Sequence, residues 1–264
     1  MSGGRAAGGL GLGGLIAVLA IGYFLGIDVT PLLNDPGTSG AGGGEITEAD
    51  RQAGEFVSVT LADTEEIWAD IFRQELGQRY EPATLVLFKG ATRSPCGGAS
   101  GATGPFYCPI DKKAYLDTDF FVTLGRKLGA KGDFAAAYVV AHEIAHHVQD
   151  ELGILGEANK IRQQASQAQS NAISVRIELQ ADCFSGVWAR HAGARFGSIE
   201  KGDIAEAMNA AKQIGDDTLQ RNAGQRPMPH TFTHGTSEQR QRWFATGYKS
   251  GNIDACDTFS TDRL

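Results

Sequence analysis

The chain has 264 residues, 42% hydrophobic and 21% charged, a balance that excludes wholesale disorder and leaves room for one sizeable core. Lys and Arg number 24 against 31 Asp and Glu, and Arg5 is the only charged residue before Asp28, so the body that follows is more acidic than the net −7 of the whole. That sign repels a phosphate backbone, and no basic stripe offsets it, which argues against a nucleic-acid partner.

Glycine divides the chain, with 14 of the 35 in residues 1–44. Residues 6–27 are a run of 22 uncharged, mostly apolar or small positions. As a helix this run spans roughly 33 Å, about the thickness of a bilayer core. It reads as a transmembrane signal-anchor helix, with residues 1–5 as a short cytoplasmic tail. The rival reading is a cleaved signal peptide, whose apolar core runs only about 7–15 residues and ends in an A-x-A-like site, a pattern not found here. Arg5 lies before the run, and Asp28, Asp35, Glu45, Glu48 and Asp50 lie after it. Positive-inside logic therefore leaves the amino terminus in the cytoplasm and exports the body to the periplasm or cell exterior. Residues 28–53, rich in Gly and small polar residues, read as a flexible linker, and 54–264 as the folded domain.

Within that domain Asp63 is expected to cap an amphipathic helix carrying Ile67, Trp68, Ile71, Phe72 and Leu76 at helical spacing, closed off by Pro82. Residues 84–90 have strand composition, and the segments FYCP and AYLD, either side of Asp111-Lys112-Lys113, read as a hairpin. Helical patterning then dominates: residues 119–128, a segment opened by Asp133, a long helix around 172–192, and further helices at 201–214 and 237–248. The fold class is α+β, a small N-terminal β-sheet followed by a predominantly helical body.

Four cysteines suit an exported domain. Cys96 and Cys108 bracket a Gly/Ser-rich stretch that would not hold a shape unaided, so these two are paired and, by elimination, Cys183 with Cys256. The shorter loop is worth on the order of 3 kcal/mol in the chain-entropy model. A four-thiolate metal site is the alternative, weakened by the lack of any C-x2-C element.

The chemistry is concentrated in His142-Glu143-Ile144-Ala145-His146, an H-E-x-x-H on a helical segment. Residues four apart lie on one face one turn apart, so both imidazoles can reach one metal ion, while Glu143 can hold a water on it. Zinc brings the pKa of such a water toward ~7, within reach of a carboxylate base. A third ligand is required, and Glu178, on a second predicted helix, is the candidate. Asp182 follows one turn later, placed to accept the remaining N–H of a ligating histidine. The bland alternative is a solvated face, but Ile177, Leu179, Ala181, Phe184 and Trp188 surround these carboxylates, and charge in such a setting needs a partner. His234 is a candidate for hydrogen-bonding the oxyanion formed when water attacks a carbonyl. His230 is a weaker one, and a plain loop histidine is the alternative for both. His147 is assigned packing or support, His191 nothing. Arg240 and Glu238 read as a structural ion pair beside His234, with the start of a solvated helix as the alternative.

The segments AHEIAHHVQ, ELQADCFSGVWA and THGTSEQR, with GPFYCPIDKKAYLD upstream, resemble the predicted neutral zinc metallopeptidase family, largely bacterial single-pass membrane proteins. The resemblance covers residues 57–259. The chain is also similar to gluzincin peptidases, in which a Glu-x-x-Ala-Asp segment, here Glu178 to Asp182, supplies the third zinc ligand. The resemblance implies Asp182 supporting His142, a zincin-like metalloprotease domain, and a sheet whose edge strand pairs with an extended substrate, for which AYLD (114–117) is the candidate. Those relatives carry a His-Pro segment near the substrate, whereas His234 here is followed by Gly235. The expected protein is a membrane-anchored, extracytoplasmic endopeptidase with one Zn2+ held by His142, His146 and Glu178. Glu143 is its general base, His234 a catalytic partner, and a peptide or protein its substrate. A zinc-stabilised membrane scaffold and a zinc amidase acting on cell-wall peptides are the alternatives. A scaffold needs neither Glu143 nor an open coordination position.

Overall fold

The structure is a computed structural model that describes residues 47–100, 104–126, 129–130 and 132–264. The expected tail, anchor helix and nearly all of the linker lie outside the described residues. Among the described residues no helix is long and apolar enough to cross a membrane.

Helix α1 runs over Glu48–Ile71, so it starts well before the Asp63 cap expected from the sequence and takes in the end of the expected linker. The reason is a capping box at its start: Thr47 accepts from the Asp50 backbone, and the Asp50 carboxylate accepts from the Thr47 backbone at 2.7 Å. With those orphan N–H groups satisfied, Asp63 sits inside the helix. Val57, Thr60, Thr64, Ile67, Trp68 and Ile71 form its buried face. A single π-type turn, Phe72–Leu76, ends it at Gly77, whose φ of 63° is a left-handed stop that suits glycine.

Strands β1 (Thr84–Phe88), β4 (Phe106–Cys108) and β5 (Lys113–Asp117) form a three-stranded sheet, and β2 (Ala91–Ser94) pairs antiparallel with β3 (Gly97–Ser100). The β4–β5 hairpin is as expected, but the AYLD piece is not an edge. β5 lies in the middle, parallel to β1 on one side (Thr84 opposite Lys113) and antiparallel to β4 on the other. Its burial explains this: Ala114, Tyr115, Leu116 and Asp117 are all buried, and a strand covered on both faces takes the centre of a sheet. The outer strands are β1 and β4. The disulfide Cys96–Cys108 ties the β2–β3 hairpin to β4 with Cα atoms 5.8 Å apart.

The rest is helical: α2 (Thr118–Arg126), α3 (Asp133–Glu151), α4 (Ile154–Arg162), α5 (Gln167–Phe196), α6 (Asp203–Gln213), α7 (Asp216–Asn222) and α8 (Ser237–Ser250). The short helices α4 and α7 have no counterpart in the sequence expectations. α3 and α5 are buried on nearly every side through their middles. Such helices form the centre of a domain rather than its surface. α8 crosses α5 at backbone contact, because glycines face each other there. A Cβ on Gly186 would lie 2.1 Å from the Phe244 carbonyl, and one on Gly247 1.8 Å from the Cys183 carbonyl. After α8 the chain returns along α5, where Cys256 is bonded to Cys183 with Cα atoms 5.6 Å apart. Both pairings match the sequence expectation, and among the described residues no cysteine is free. The fold is α+β, mostly helical with a small sheet.

Candidate metal centre

α3 brings His142 and His146 to one face, one turn apart, and α5 packs against that face with Glu178. Ligand atoms of these three residues all lie within 4.8 Å of one another. Both rings turn Nε2 inward: His142 Nε2 is 3.1 Å from one Glu178 carboxylate oxygen and His146 Nε2 3.5 Å from the other. Their Nδ1 atoms turn outward to different supports. His142 Nδ1 lies 3.0 Å from Asp182 Oδ1, though out of line with a straight N–H bond, and His146 Nδ1 is 2.8 Å from Gln149 Oε1.

Two imidazole nitrogens and a carboxylate oxygen suit a borderline cation such as zinc better than a hard, all-oxygen-seeking one. The electrostatics of the pocket also favour positive charge at its centre. Burial opposes charge on His142, but Asp182 and Glu178 outweigh it and the ring is pushed up to about 9. Burial alone would raise the Glu178 carboxyl, yet His146, His234 and the bond from His142 hold it well below the usual carboxylate range. The residues present fit a zinc ion. The other grouping of potential ligands among the described residues, Asp133, Asp203 and Glu206, is all carboxylate and partly exposed. Glu143, on the same helix as the two histidines, is only 6% exposed, and burial pushes its carboxyl above the ordinary range.

Asp182 sits in a buried charge cluster that the sequence did not announce. Arg240 donates to it from Nε at 2.8 Å and Nη2 at 2.9 Å, and the Tyr138 hydroxyl donates to Oδ1. This corrects the expected Arg240–Glu238 pair: Glu238 is exposed on α8, whereas Arg240 faces α5 because the glycine contact draws the two helices together. Tyr138 lies one turn before His142 on α3, so its hydroxyl reaches the same Asp182 carboxylate.

His234 is held by Asp216, a residue to which sequence reasoning assigned nothing. Asp216 Oδ2 accepts the backbone N–H groups of Thr233, His234 and Gly235 at 2.8, 2.7 and 3.0 Å, and Oδ1 lies 3.1 Å from His234 Nδ1. His234 and Glu178 are close enough for their charges to act on each other. Gly235 has φ +91°, which proline cannot adopt, so the His-Pro of the relatives has no place in this loop. His230 is exposed, and its carbonyl serves Asn171. His147 is fully buried between Tyr107 and the Glu81 carbonyl, tying β4 to α3, and His191 bonds the Gly251 carbonyl at 2.8 Å.

Residues 1–259 match the family described as "Putative neutral zinc metallopeptidase". The chain belongs to this family. Among its relatives, "Uncharacterized protein YpfJ" of Escherichia coli (strain K12) is 45% identical over 268 residues, covering 98% of this chain and 92% of the relative. "Uncharacterized protein Rv2575" of Mycobacterium tuberculosis (strain ATCC 25618 / H37Rv) is 45% identical over 195 residues, covering 70% of this chain and 65% of the relative. No solved structure matches the chain. The family implies zinc, and His142, His146 and Glu178 form a grouping able to hold such an ion.

Proposed function

We propose that this zinc metallopeptidase family member is a zinc-dependent endopeptidase of zincin-like fold, anchored by residues 6–27 with its catalytic domain outside the cytoplasm. The observation that carries the activity is the convergence of His142, His146 and Glu178 within 4.8 Å, with Glu143 on the same helix. His142, His146 and Glu178 hold the ion. Zinc supplies the Lewis acidity that makes water nucleophilic near neutral pH and polarises the scissile carbonyl. Glu143 takes the proton of the attacking water on its carboxylate and passes it to the leaving amine. Asp182 orients His142. His234, its Nδ1 held by Asp216, donates from Nε2 to the developing oxyanion. The two disulfides support an oxidising, extracytoplasmic location.

The test is metal analysis of the purified full-length protein, with cleavage of an unfolded protein followed with and without a chelator. One zinc per chain and chelator-sensitive cleavage are expected. Glu143→Gln is expected to keep the zinc and lose at least about a thousandfold in kcat, the combined scale of base and acid catalysis. Glu178→Ala is expected to lower zinc occupancy itself. Cleavage that survives Glu143→Gln removes the mechanism. Turnover of cell-wall peptide fragments in place of protein makes the enzyme an amidase.

A further inference from the structure

The support behind His146 does not end at Gln149. Gln149 is fully buried, and its side-chain nitrogen donates both to the Ile177 carbonyl at 2.8 Å and to Gln180 Oε1 at 3.0 Å. Gln180, itself 5% exposed, donates from Nε2 to the Cys256 carbonyl at 3.1 Å. An unbroken line of hydrogen bonds thus runs from His146 on α3, through one amide of α3 and one of α5, to the backbone of the C-terminal segment.

The direction of every bond in this line follows from one condition. If His146 offers the Nε2 lone pair to a cation, its proton must sit on Nδ1, and Nδ1–H needs an acceptor. Gln149 must then present Oε1 to the ring, which turns its NH2 toward Ile177 and Gln180. Gln180 must answer with Oε1, which turns its own NH2 toward a carbonyl, and the Cys256 carbonyl is the one it meets. Rotating either amide would set donor against donor or oxygen against oxygen in a buried site, where an unmet polar group costs about 1–3 kcal/mol.

The far end of the line is firmly seated. Cys256 is fully buried and disulfide-bonded to Cys183 of α5, and the chain beyond it is held on the same helix by Arg176, which donates to the carbonyls of Thr258 and Thr261. Arg176, Gln180 and Cys183 are spaced four and three apart, one stripe along α5. The C-terminal strap is therefore a fixed wall against which Gln180 sets its rotamer.

We propose that Gln180 is a positioning residue for the metal ligand His146. Acting through Gln149 and anchored on the Cys256 carbonyl, it fixes the Nδ1–H tautomer and the ring plane. This rests on the reading of His146 as a zinc ligand. It gives the C-terminal strap a role in metal affinity although no strap residue reaches the ion.

The experiment compares full-length wild type with Gln180→Met, Gln149→Met and the double variant, all near-isosteric. Zinc affinity is measured by competition with a chromophoric chelator, and apo-protein melting is recorded alongside. Loss of an outer-shell partner costs about 10–100-fold in metal affinity, the loss expected for Gln149→Met. Gln180→Met is expected to lose several-fold, and the double variant no more than Gln149→Met alone, because the two act in series. In zinc-loaded protein labelled with 15N-histidine, the His146 Nδ1–H signal should exchange with water faster in Gln180→Met than in wild type. This second readout stands even if Gln149→Met does not fold. Wild-type affinity and exchange in Gln180→Met, even with a lowered apo melting temperature, show a merely structural residue and overturn the proposal. Losses that multiply in the double variant overturn the series arrangement. Wild type that takes up no zinc overturns the metal-centre reading and this role with it, whereas zinc-replete wild type with an unchanged Gln180→Met overturns this role alone.

Discussion

Arg240 grips Asp182 with two parallel hydrogen bonds, Nε to Oδ2 at 2.8 Å and Nη2 to Oδ1 at 2.9 Å, with both side chains almost wholly buried. The carboxylate is shared, because Oδ1 also faces His142 Nδ1 at 3.0 Å. One buried charge pair therefore connects α8 to the ligand helix α3 through α5. Burial would raise the Asp182 carboxyl, but Arg240 and His142 hold it below its ordinary range, so it stays an anion.

Removing the arginine strands that anion. Arg240→Met is expected to destabilise the protein by about 3–5 kcal/mol, the cost of breaking one side of a buried pair. Glu238→Met, an exposed change on the same helix, should stay within about 0.5 kcal/mol. Urea unfolding of the two variants against wild type checks the contrast. Equal losses would mean that the pair carries no special weight.

The Asp216 carboxyl sets an acid limb in stability. Burial alone would raise it, but His234 and the backbone N–H groups of Thr233 and His234 hold it below its ordinary 3.8. A carboxyl lowered in the fold contributes stability that is fully present above the unfolded value and is lost as pH falls through the folded one. Chemical denaturation as a function of pH should therefore show stability falling below about pH 4, more gently in Asp216→Asn. On the proposed mechanism the same variant is expected to leave zinc binding intact and lower kcat, since His234 loses the carboxylate at its Nδ1 and keeps only the Thr233 hydroxyl, 3.1 Å away. Wild-type kcat in Asp216→Asn would remove the Asp216–His234 pair from the reaction.

The contact of α5 with α8 is a backbone contact, and it tolerates no side chain. Gly247→Ala places a methyl 1.8 Å from the Cys183 carbonyl and is expected to cost about 3 kcal/mol or more. Gly156 lies on the exposed face of α4 with nothing within 4 Å of its missing Cβ, so Gly156→Ala should stabilise by about 0.5–1 kcal/mol. Thermal melts of the two variants should move in opposite directions. A Gly247→Ala protein as stable as wild type would mean that the helices do not meet this closely.

The juxtaposition of His142 and His146 was legible because the relationship is local: four residues on a helix fix the two on one face whatever the rest of the chain does. Glu178 and Asp182 were legible as charges in apolar surroundings, which need partners. Tyr138, Gln149, Gln180, Asp216 and Arg240 were not, because each is an ordinary residue in its own window and gains its task from a neighbour on another element. The strand order was misread for a related reason. AYLD has strand chemistry, but whether a strand is central or outer depends on what covers both its sides, and β1, contributed by residues 84–88, takes the side expected to stay open.

By itself the sequence determined the α+β class, the cysteine pairing, the grouping of two histidines one helical turn apart, and the need for a carboxylate from a second helix, since these follow from short-range periodicity and the chemistry of single side chains. Only the tertiary structure decided what holds those groups in place: the facing glycines that bring Arg240 to Asp182, the loop that wraps Asp216 beneath His234, and the amides that reach from His146 to the C-terminal strap. The physical reason is that a hydrogen bond across elements is fixed by packing distance and angle, and neither is written in any local stretch of chain.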